Sequence, residues 1–193
     1  MPRQVGIFGG SFDPPHLGHL IAAQAAYEAL GLDLVLFVPT GNAYHKAPGS
    51  QAADRLAMTE RAIAGDRRFA VSRLEVDRAG PSYTIDTVTA LRAQHPDAQF
   101  TLILGSDAFR DLPHWHRSAE LQKAVRIAVV TREEALPPEA VAQPRCVTIA
   151  PIGISSSQCR RRVREGLGVN YLVPEAVAGY IEEHSLYRGE TRE

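Results

Sequence analysis

Short apolar runs alternate with amphipathic stretches along the chain. LVLFVP (34–39) is a nearly continuous apolar run, which is typical of a strand covered on both faces. LGHLIAAQAAYEAL (17–30) is rich in Ala and Leu, and it predicts a helix that ends at Gly31. The same pattern predicts further strands at 4–8, within 68–77, at 99–105, at 126–131 and at 146–152. It also predicts further helices at 51–65, at 82–95, in AELQKA, in SSSQCRRRVREG and in PEAVAGYIEEHS. Ser82 is the predicted N-cap of the helix at 82–95.

Strands that alternate with crossover helices predict a parallel sheet. We therefore expect an α/β fold: a single-domain, doubly wound (Rossmann-like) sheet with helices on both faces. In such sheets, ligands bind outside the carboxyl ends of the strands. The unusual polar clusters all follow predicted strands: GGSFDPPHLGH (9–19), His45 with Lys46, GSD (105–107) and ISSS (154–157). This placement predicts one shared site.

Composition excludes several classes of function. The chain has 193 residues, 45% of them hydrophobic and 22% charged, which is an ordinary globular balance and enough for one domain. A formal net charge of −1 gives no reason to bind a nucleic-acid polymer or an anionic membrane, and no apolar run approaches the length of a membrane span. Cys146 and Cys159 are far apart and suit a reducing compartment. We expect a cytoplasmic protein, monomeric or weakly homo-oligomeric.

The stretch GGSFDPPHLGH has the features of a phosphate cradle. Gly9 and Gly10 permit a sharp turn off the strand, and the helix that follows directs its positive N-terminal end towards the crevice. His16 and His19, three residues apart on the first helical turn, can donate to phosphate oxygens, and Gly18 keeps the surface between them low. The motif is neither a Walker A loop nor a GxGxxG fingerprint. An ordinary turn with surface or core histidines, or half of a metal site, remains an alternative.

A second cluster, ISSSQCRRRVREG, begins a helix near the end of the chain. Ser155 and Gln158 form a capping-box pattern. Ser156, Ser157 and Arg160 lie at the predicted helix N-terminus, where hydroxyls and a guanidinium can grip a polyphosphate. The remaining arginines of this helix are interpreted as a solvated face: Arg161, Arg162 and Arg164.

These two motifs resemble the HxGH and SSTxxR signatures of a nucleotidyltransferase superfamily. Within it, the chain is similar to the nicotinate-nucleotide adenylyltransferases along nearly its whole length. The further matching segments are GPSYTIDTV (80–88), LILGSDAF (102–109), LPHWH (112–116), VVTRE (129–133), YLVPEAVAGYI (171–181) and HSLY (184–187). The resemblance implies transfer of AMP from ATP to nicotinate mononucleotide, which gives nicotinate adenine dinucleotide and pyrophosphate.

The resemblance also implies roles for individual residues. Mg²⁺ is expected to arrive with the triphosphate rather than in a carboxylate cage, and Asp13 is interpreted as a structural turn residue. The implied catalytic residues are His16, His19, Lys46 and Arg160. The implied ATP site adds Gly9, Gly10, Ser11, Phe12, Gly18, Gly105, Asp107, Ile154, Ser156 and Ser157. The implied acceptor site contains Lys46, Ser82, Tyr83, Thr84, Asp107, Trp115 and Arg132.

Several readings stay open at this point. Asp107 can accept from a ribose hydroxyl or simply form a turn, and Trp115 can stack on the pyridine ring or fill a core edge. The alternative functions are an adenylyltransferase for another acceptor, such as nicotinamide mononucleotide or phosphopantetheine, and a nucleotide sensor without turnover.

Overall fold

The computed structural model describes residues 2–42, 49–131 and 144–188. In these ranges six strands form one parallel sheet in the order β3-β2-β1-β4-β5-β6. The strands are β1 Gln4–Gly10, β2 Leu34–Pro39, β3 Phe69–Val71, β4 Gln99–Gly105, β5 Arg126–Thr131 and β6 Arg145–Thr148. The helices are α1 Leu17–Leu30, α2 Ala52–Ala62, α3 Thr84–Gln94, α4 Ser106–Asp111, α5 Ser118–Ala124, α6 Ser156–Arg164 and α7 Glu175–Glu183, with a 3₁₀ turn at Leu112–His114.

The strand order confirms the predicted doubly wound α/β fold. β1 lies at the centre and pairs with β2 on one side and β4 on the other, so the order reverses between β1 and β4. In this arrangement a crevice opens at the carboxyl ends of the two central strands. The glycine-rich end of β1 and the GSD segment after β4 therefore lie next to each other across the sheet.

Helices cover both faces of the sheet. Alternate residues of β4 show the division: Leu102 and Leu104 pack with α3 and α5, whereas Ile103 packs with α1 on the opposite face. The α1 surface that faces the sheet consists of alanines, including Ala23 and Ala26, and their small size lets the helix approach closely. No helix in the described ranges meets the length and apolarity needed to cross a bilayer.

The C-terminal helices form a third cluster with α2. Cys159 of α6 and Val177 of α7 are buried against Met58 of α2. The hydroxyl of Tyr180 donates to Asp54 Oδ1 at 3.0 Å, which ties α7 to α2. This packing places the end of the described chain beside the segment that follows β1.

The structure corrects the predicted start of α3. Ser82 is not the N-cap: the helix begins at Thr84, and Tyr83 occupies the cap position. The Ser82 hydroxyl oxygen instead accepts the backbone N–H groups of Gly41 and Asn42, each at 3.2 Å. It therefore fastens the segment after β2 to the start of α3.

Candidate active site

The two histidines of the opening motif stack on each other at the start of α1. His16 is the N-cap of α1 and is buried, while His19 lies in the first turn, and their ring centroids are 3.7 Å apart. The backbone N–H of His16 donates to His19 Nδ1 at 3.1 Å. Because Nδ1 accepts this bond, the proton of the neutral His19 ring lies on Nε2, which is left as a donor.

Gly18 leaves room for the ring of His16. A Cβ added at residue 18 would lie 3.0 Å from His16 Nδ1 and 3.1 Å from Cε1, so the ring would have to shift by a few tenths of an ångström. The His16 imidazole thus lies directly against this glycine. A larger residue here would press on the imidazole stack.

His19 is held in its neutral form. Burial, and secondarily the charge of His16, lower the pKa of His19 from 6.5 to about 3. At neutral pH the ring therefore presents an uncharged Nε2–H donor. Such a donor can stabilise negative charge that develops on a phosphate oxygen without a prior protonation step.

This lowered pKa predicts an acid-dependent loss of stability. Between about pH 6.5 and pH 3 the unfolded chain binds a proton at His19 that the folded chain does not. Acidification should therefore reduce the free energy of unfolding by up to about 1.4 kcal/mol per pH unit in that window, whereas above it the contribution is complete. When the free energy of unfolding is measured by denaturant titration from pH 7 to about pH 4, its slope against pH should be shallower for His19→Gln than for wild type. The exposed-residue control, His95→Gln, should keep the wild-type slope, and equal slopes in all three proteins would contradict a neutral His19.

The ISSS cluster lies directly against the opening motif. Arg160 Nη1 donates to the backbone carbonyl of Asp13 at 2.6 Å, and its Nη2 donates to Ser157 Oγ at 3.3 Å. The Ser156 hydroxyl donates to the Pro14 carbonyl at 2.9 Å. Helix α6 is capped as the sequence predicted, since Ser155 Oγ accepts the backbone N–H of Gln158 at 3.2 Å. The N-termini of α1 and α6 thus meet at one place.

A cavity of about 540 Å³ opens beside this place, at the carboxyl ends of β1 and β4. Its floor is apolar and includes Ile7, Val38 and Leu102, whereas its rim is polar. The predicted site residues that line it are Gly9, Gly10, Ser11, Ser82, Tyr83, Thr84, Gly105, Asp107 and Trp115. Gly9 to Ser11 therefore form the border between the cavity and the paired helix N-termini.

Aromatic side chains form one wall of this cavity. The Trp115 indole N–H donates to Asp111 Oδ2 at 3.2 Å, which fixes the plane of the ring. The His116 ring stacks on Tyr83 with centroids 4.1 Å apart. Trp115 also packs against the core beneath it, so its side chain both fills a core edge and faces the cavity. A flat aromatic ligand would find a stacking surface here.

The N-terminus of α3 supplies free backbone donors at the rim. Within the described residues, the N–H groups of Thr84 and Ile85 have no hydrogen-bond acceptor. Both belong to the first turn, where the helix dipole is positive. An anionic group bound at Thr84 would satisfy donors that the fold leaves open.

Glu75 is a cavity residue that the sequence analysis missed. It is buried, and its Oε1 accepts the hydroxyl of Thr87 at 2.8 Å. Burial raises the pKa of Glu75, while hydrogen bonds from Thr87 and Ser82 oppose the shift. The sequence gives little signal for this role, since Glu75 lies in the mixed polar and apolar segment SRLEV.

Arg55 is a second residue that the sequence analysis missed. It is buried beneath the segments that follow β1 and β2 and connects them. Its guanidinium donates to the carbonyls of Ser11, Thr40 and Gly41, the last at 2.9 Å. Burial lowers the pKa of Arg55, and the charge of Asp13 acts in the opposite direction. One side chain thus fastens the end of β2 to the segment that follows β1.

Two predicted site residues have packed side chains, and two others are not described. The Phe12 side chain is 1% exposed and packs edge-on against His19 with centroids 5.1 Å apart, so only its backbone can face a ligand. Ile154 packs against the C-terminal cluster. Lys46 and Arg132 lie outside the described residues. In the described part of the chain, no three His, Cys, Asp or Glu residues are grouped to hold a metal ion.

Several known proteins share sequence or fold with this chain. The cytidylyltransferase-like family matches residues 7–162. The chain is 47% identical to the probable nicotinate-nucleotide adenylyltransferase of Thermus thermophilus, over 96% of this chain and 100% of that protein. It is 46% identical to the protein of the same name from Saccharopolyspora erythraea, over 97% of this chain and 91% of that one. Among solved structures, the Plasmodium falciparum nicotinic acid mononucleotide adenylyltransferase in complex with NaAD has a similar fold, with a TM-score of 0.82 at 20% identity over 96% of this chain and 97% of that one.

Proposed function

The chain belongs to the nicotinate-nucleotide adenylyltransferases, and from that premise we propose which residues carry the transfer of AMP from ATP to nicotinate mononucleotide. The enzyme is a nucleotidyltransferase of NAD biosynthesis. One observation supports the residue assignment: the joined N-termini of α1 and α6 border a cavity of acceptor size across Gly9 to Ser11. ATP phosphates fit the first part, and a pyridine mononucleotide fits the second.

The reaction needs no protein nucleophile. An oxygen of the acceptor phosphate is already anionic, and it forms a bond to the α-phosphorus of ATP while the bond from that phosphorus to the bridging oxygen of pyrophosphate breaks. No proton has to be removed from the nucleophile. The protein contributes in-line positioning and donors for charge that develops on the α-phosphate and on the leaving group.

The phosphate site divides between two elements. His19 Nε2–H, beside His16 at the start of α1, is assigned to the α-phosphate oxygens. Arg160 and Ser157, at the start of α6, are assigned to the leaving β- and γ-phosphates, and the Ser156 hydroxyl holds the two elements together. The Plasmodium falciparum enzyme of similar fold is known in complexes with NaAD and with APC, which supports nucleotide substrates for this chain.

Members of this family use a divalent metal with ATP, and we assign Mg²⁺ as that ion, entering on the triphosphate. Asp13 is the carboxylate beside the phosphate site, and hydrogen bonds from Gly49, Ser50 and Tyr187 already occupy it. The donors at this place suit phosphate oxygens rather than a cation. The phosphates themselves would supply the ion's oxygen ligands.

The acceptor site uses backbone and aromatic groups. The N–H of Thr84 is assigned to the nicotinate carboxylate, and Trp115 to stacking on the pyridine ring. Asp107 lines the same cavity with a fully exposed carboxylate that pairs with Arg110 at 3.0 Å, so it is accessible to a ribose hydroxyl. We also propose that the enzyme consists of a single domain and is monomeric or weakly homo-oligomeric.

An arginine pair on α6 tests the phosphate assignment. Arg160→Ala should raise KM for ATP about tenfold or more, because a charge-assisted contact to phosphate contributes about 1.5–3 kcal/mol. Arg161→Ala, one position along on the exposed face, removes the same charge from the same helix and should leave KM within about twofold. Steady-state kinetics against ATP decides. Equal effects of the two substitutions on KM would mean that Arg160 acts only through its charge, and would contradict a direct contact with the phosphates.

A further inference from the structure

The carboxylate of Asp13 accepts hydrogen bonds from three donors that belong to two distant segments. It is 1% exposed. Oδ1 accepts the hydroxyl of Ser50 at 2.5 Å and that of Tyr187 at 2.7 Å, and Oδ2 accepts the backbone N–H of Gly49 at 2.6 Å. A buried carboxylate with three good donors has most of its acceptor capacity filled. It consequently exerts a weaker pull on any further donor.

Arg160 forms a long ion pair with this carboxylate rather than a close, hydrogen-bonded one. The distance from Arg160 Nη1 to Asp13 Oδ2 is 3.6 Å, longer than a charge-assisted hydrogen bond, and Nη1 instead donates to the Asp13 carbonyl at 2.6 Å. A Cβ added at Gly49 would lie 2.7 Å from Arg160 Cδ, so the arginine stem is packed against Gly49. The side chain keeps 24% of its surface exposed. These contacts fix the orientation of the guanidinium and leave part of it accessible to a ligand.

Tyr187 is a permanent donor in this arrangement. It follows α7 and belongs to the HSLY segment, to which the transfer reaction assigns no role. Its hydroxyl also lies 3.4 Å from Ser50 Oγ and 3.8 Å from Met58 Sδ. Burial, together with the charge of Asp13, raises the pKa of Tyr187 above its usual range, so the hydroxyl stays protonated wherever the enzyme works.

We propose that Tyr187 is a positioning residue for ATP binding: by donating to Asp13 it prevents that carboxylate from drawing Arg160 into a close ion pair, and it keeps the guanidinium available to the β- and γ-phosphates. This inference rests on the assignment of Arg160 to ATP given above. It assigns the C-terminal segment a task in substrate binding, in addition to its packing on α2.

Tyr187→Phe tests this directly, because the substitution removes one hydroxyl and retains the ring. Asp13 Oδ1 loses a donor, the carboxylate as a whole regains acceptor capacity, and the 3.6 Å ion pair between Arg160 Nη1 and Asp13 Oδ2 is expected to shorten in compensation. KM for ATP should rise about threefold to tenfold, while kcat stays within about twofold. The matched control is Tyr180→Phe, which deletes another tyrosine–aspartate bond of the C-terminal cluster, the one to Asp54. It should leave KM for ATP unchanged.

A double-mutant cycle separates this inference from the assignment on which it depends. In an Arg160→Ala background, Tyr187→Phe should no longer change KM for ATP. If Arg160→Ala alone leaves KM unchanged, the arginine does not bind ATP and both ideas fail. If Arg160→Ala raises KM but Tyr187→Phe has no effect, or has the same effect in both backgrounds, the assignment of Arg160 stands and the role of Tyr187 is overturned.

Discussion

Replacement of His19 by alanine should lower kcat by about 10²–10³-fold and change KM for ATP little. The reason lies in the ring's environment: Nδ1 is occupied by the N–H of His16, and burial keeps the ring neutral, so Nε2–H is a fixed donor. Such a donor gains most of its strength when charge accumulates on the α-phosphate in the transition state. Loss of the donor therefore appears in turnover rather than in binding.

His19→Gln is the informative companion to the alanine variant. Its amide can present an uncharged N–H near the position of Nε2, so it should recover part of the lost turnover. The measurement is steady-state kinetics of both variants at saturating nicotinate mononucleotide, with the exposed His95→Ala as control. An alanine variant that only raised KM for ATP would remove His19 from the chemical step. A glutamine variant as impaired as alanine would contradict a neutral donor.

Nicotinate mononucleotide should be preferred over nicotinamide mononucleotide by about 10³–10⁵-fold in kcat/KM. The free N–H groups of Thr84 and Ile85 point from the positive end of α3, and a carboxylate only accepts. A carboxamide would bring its NH₂ group against these donors or lose a partner by turning over. Trp115 can stack on either pyridine ring. Trp115→Phe should therefore lower kcat/KM for both acceptors and leave the ratio of the two kcat/KM values nearly unchanged.

Thr84→Pro isolates the backbone donor in this preference. Residue 84 is the first helical position, where proline is tolerated, and Tyr83 before it is extended with φ −98° and ψ 129°, as a residue preceding proline should be. The substitution removes the N–H and should reduce the acid-over-amide ratio at least about tenfold, whereas Thr84→Ala should not. A ratio near one in the wild-type enzyme, or an unchanged ratio in Thr84→Pro, would refute the proposed carboxylate site.

The fold was predictable wherever a continuous local pattern decided it. The bounds predicted for α1, β2, β4 and β5 coincide with those observed, because each segment is predominantly apolar. The short helix α4 was not predicted, since its six residues contain one buried side chain, Phe109, and give no periodicity. The N-cap at Ser82 was wrong because the hydroxyl has distant partners in Gly41 and Asn42. A local preference of serine for the N-cap position does not show that distant backbone groups will bind its hydroxyl instead.

The candidate site divides along the same line. Strand ends are visible in the sequence, and the clusters that follow β1 and β6 do meet, as Arg160 and Asp13 show. What the sequence hid are roles created by long-range contacts. Asp13 reads as a turn residue until Tyr187, 174 positions away, is seen to donate to it. Arg55 likewise reads as one more cation on an amphipathic helix, although it is buried under three carbonyl groups.

The fate of the ATP α-phosphate tests the central claim most directly. The enzyme should be incubated with α-labelled ATP, Mg²⁺ and, in parallel, nicotinate mononucleotide, nicotinamide mononucleotide, phosphopantetheine or no acceptor. We expect label in nicotinate adenine dinucleotide and one pyrophosphate per dinucleotide with the first acceptor, and little release with the others. Pyrophosphate release that is fastest with phosphopantetheine, or bound ATP with no release under any condition, would contradict adenylyl transfer to nicotinate mononucleotide.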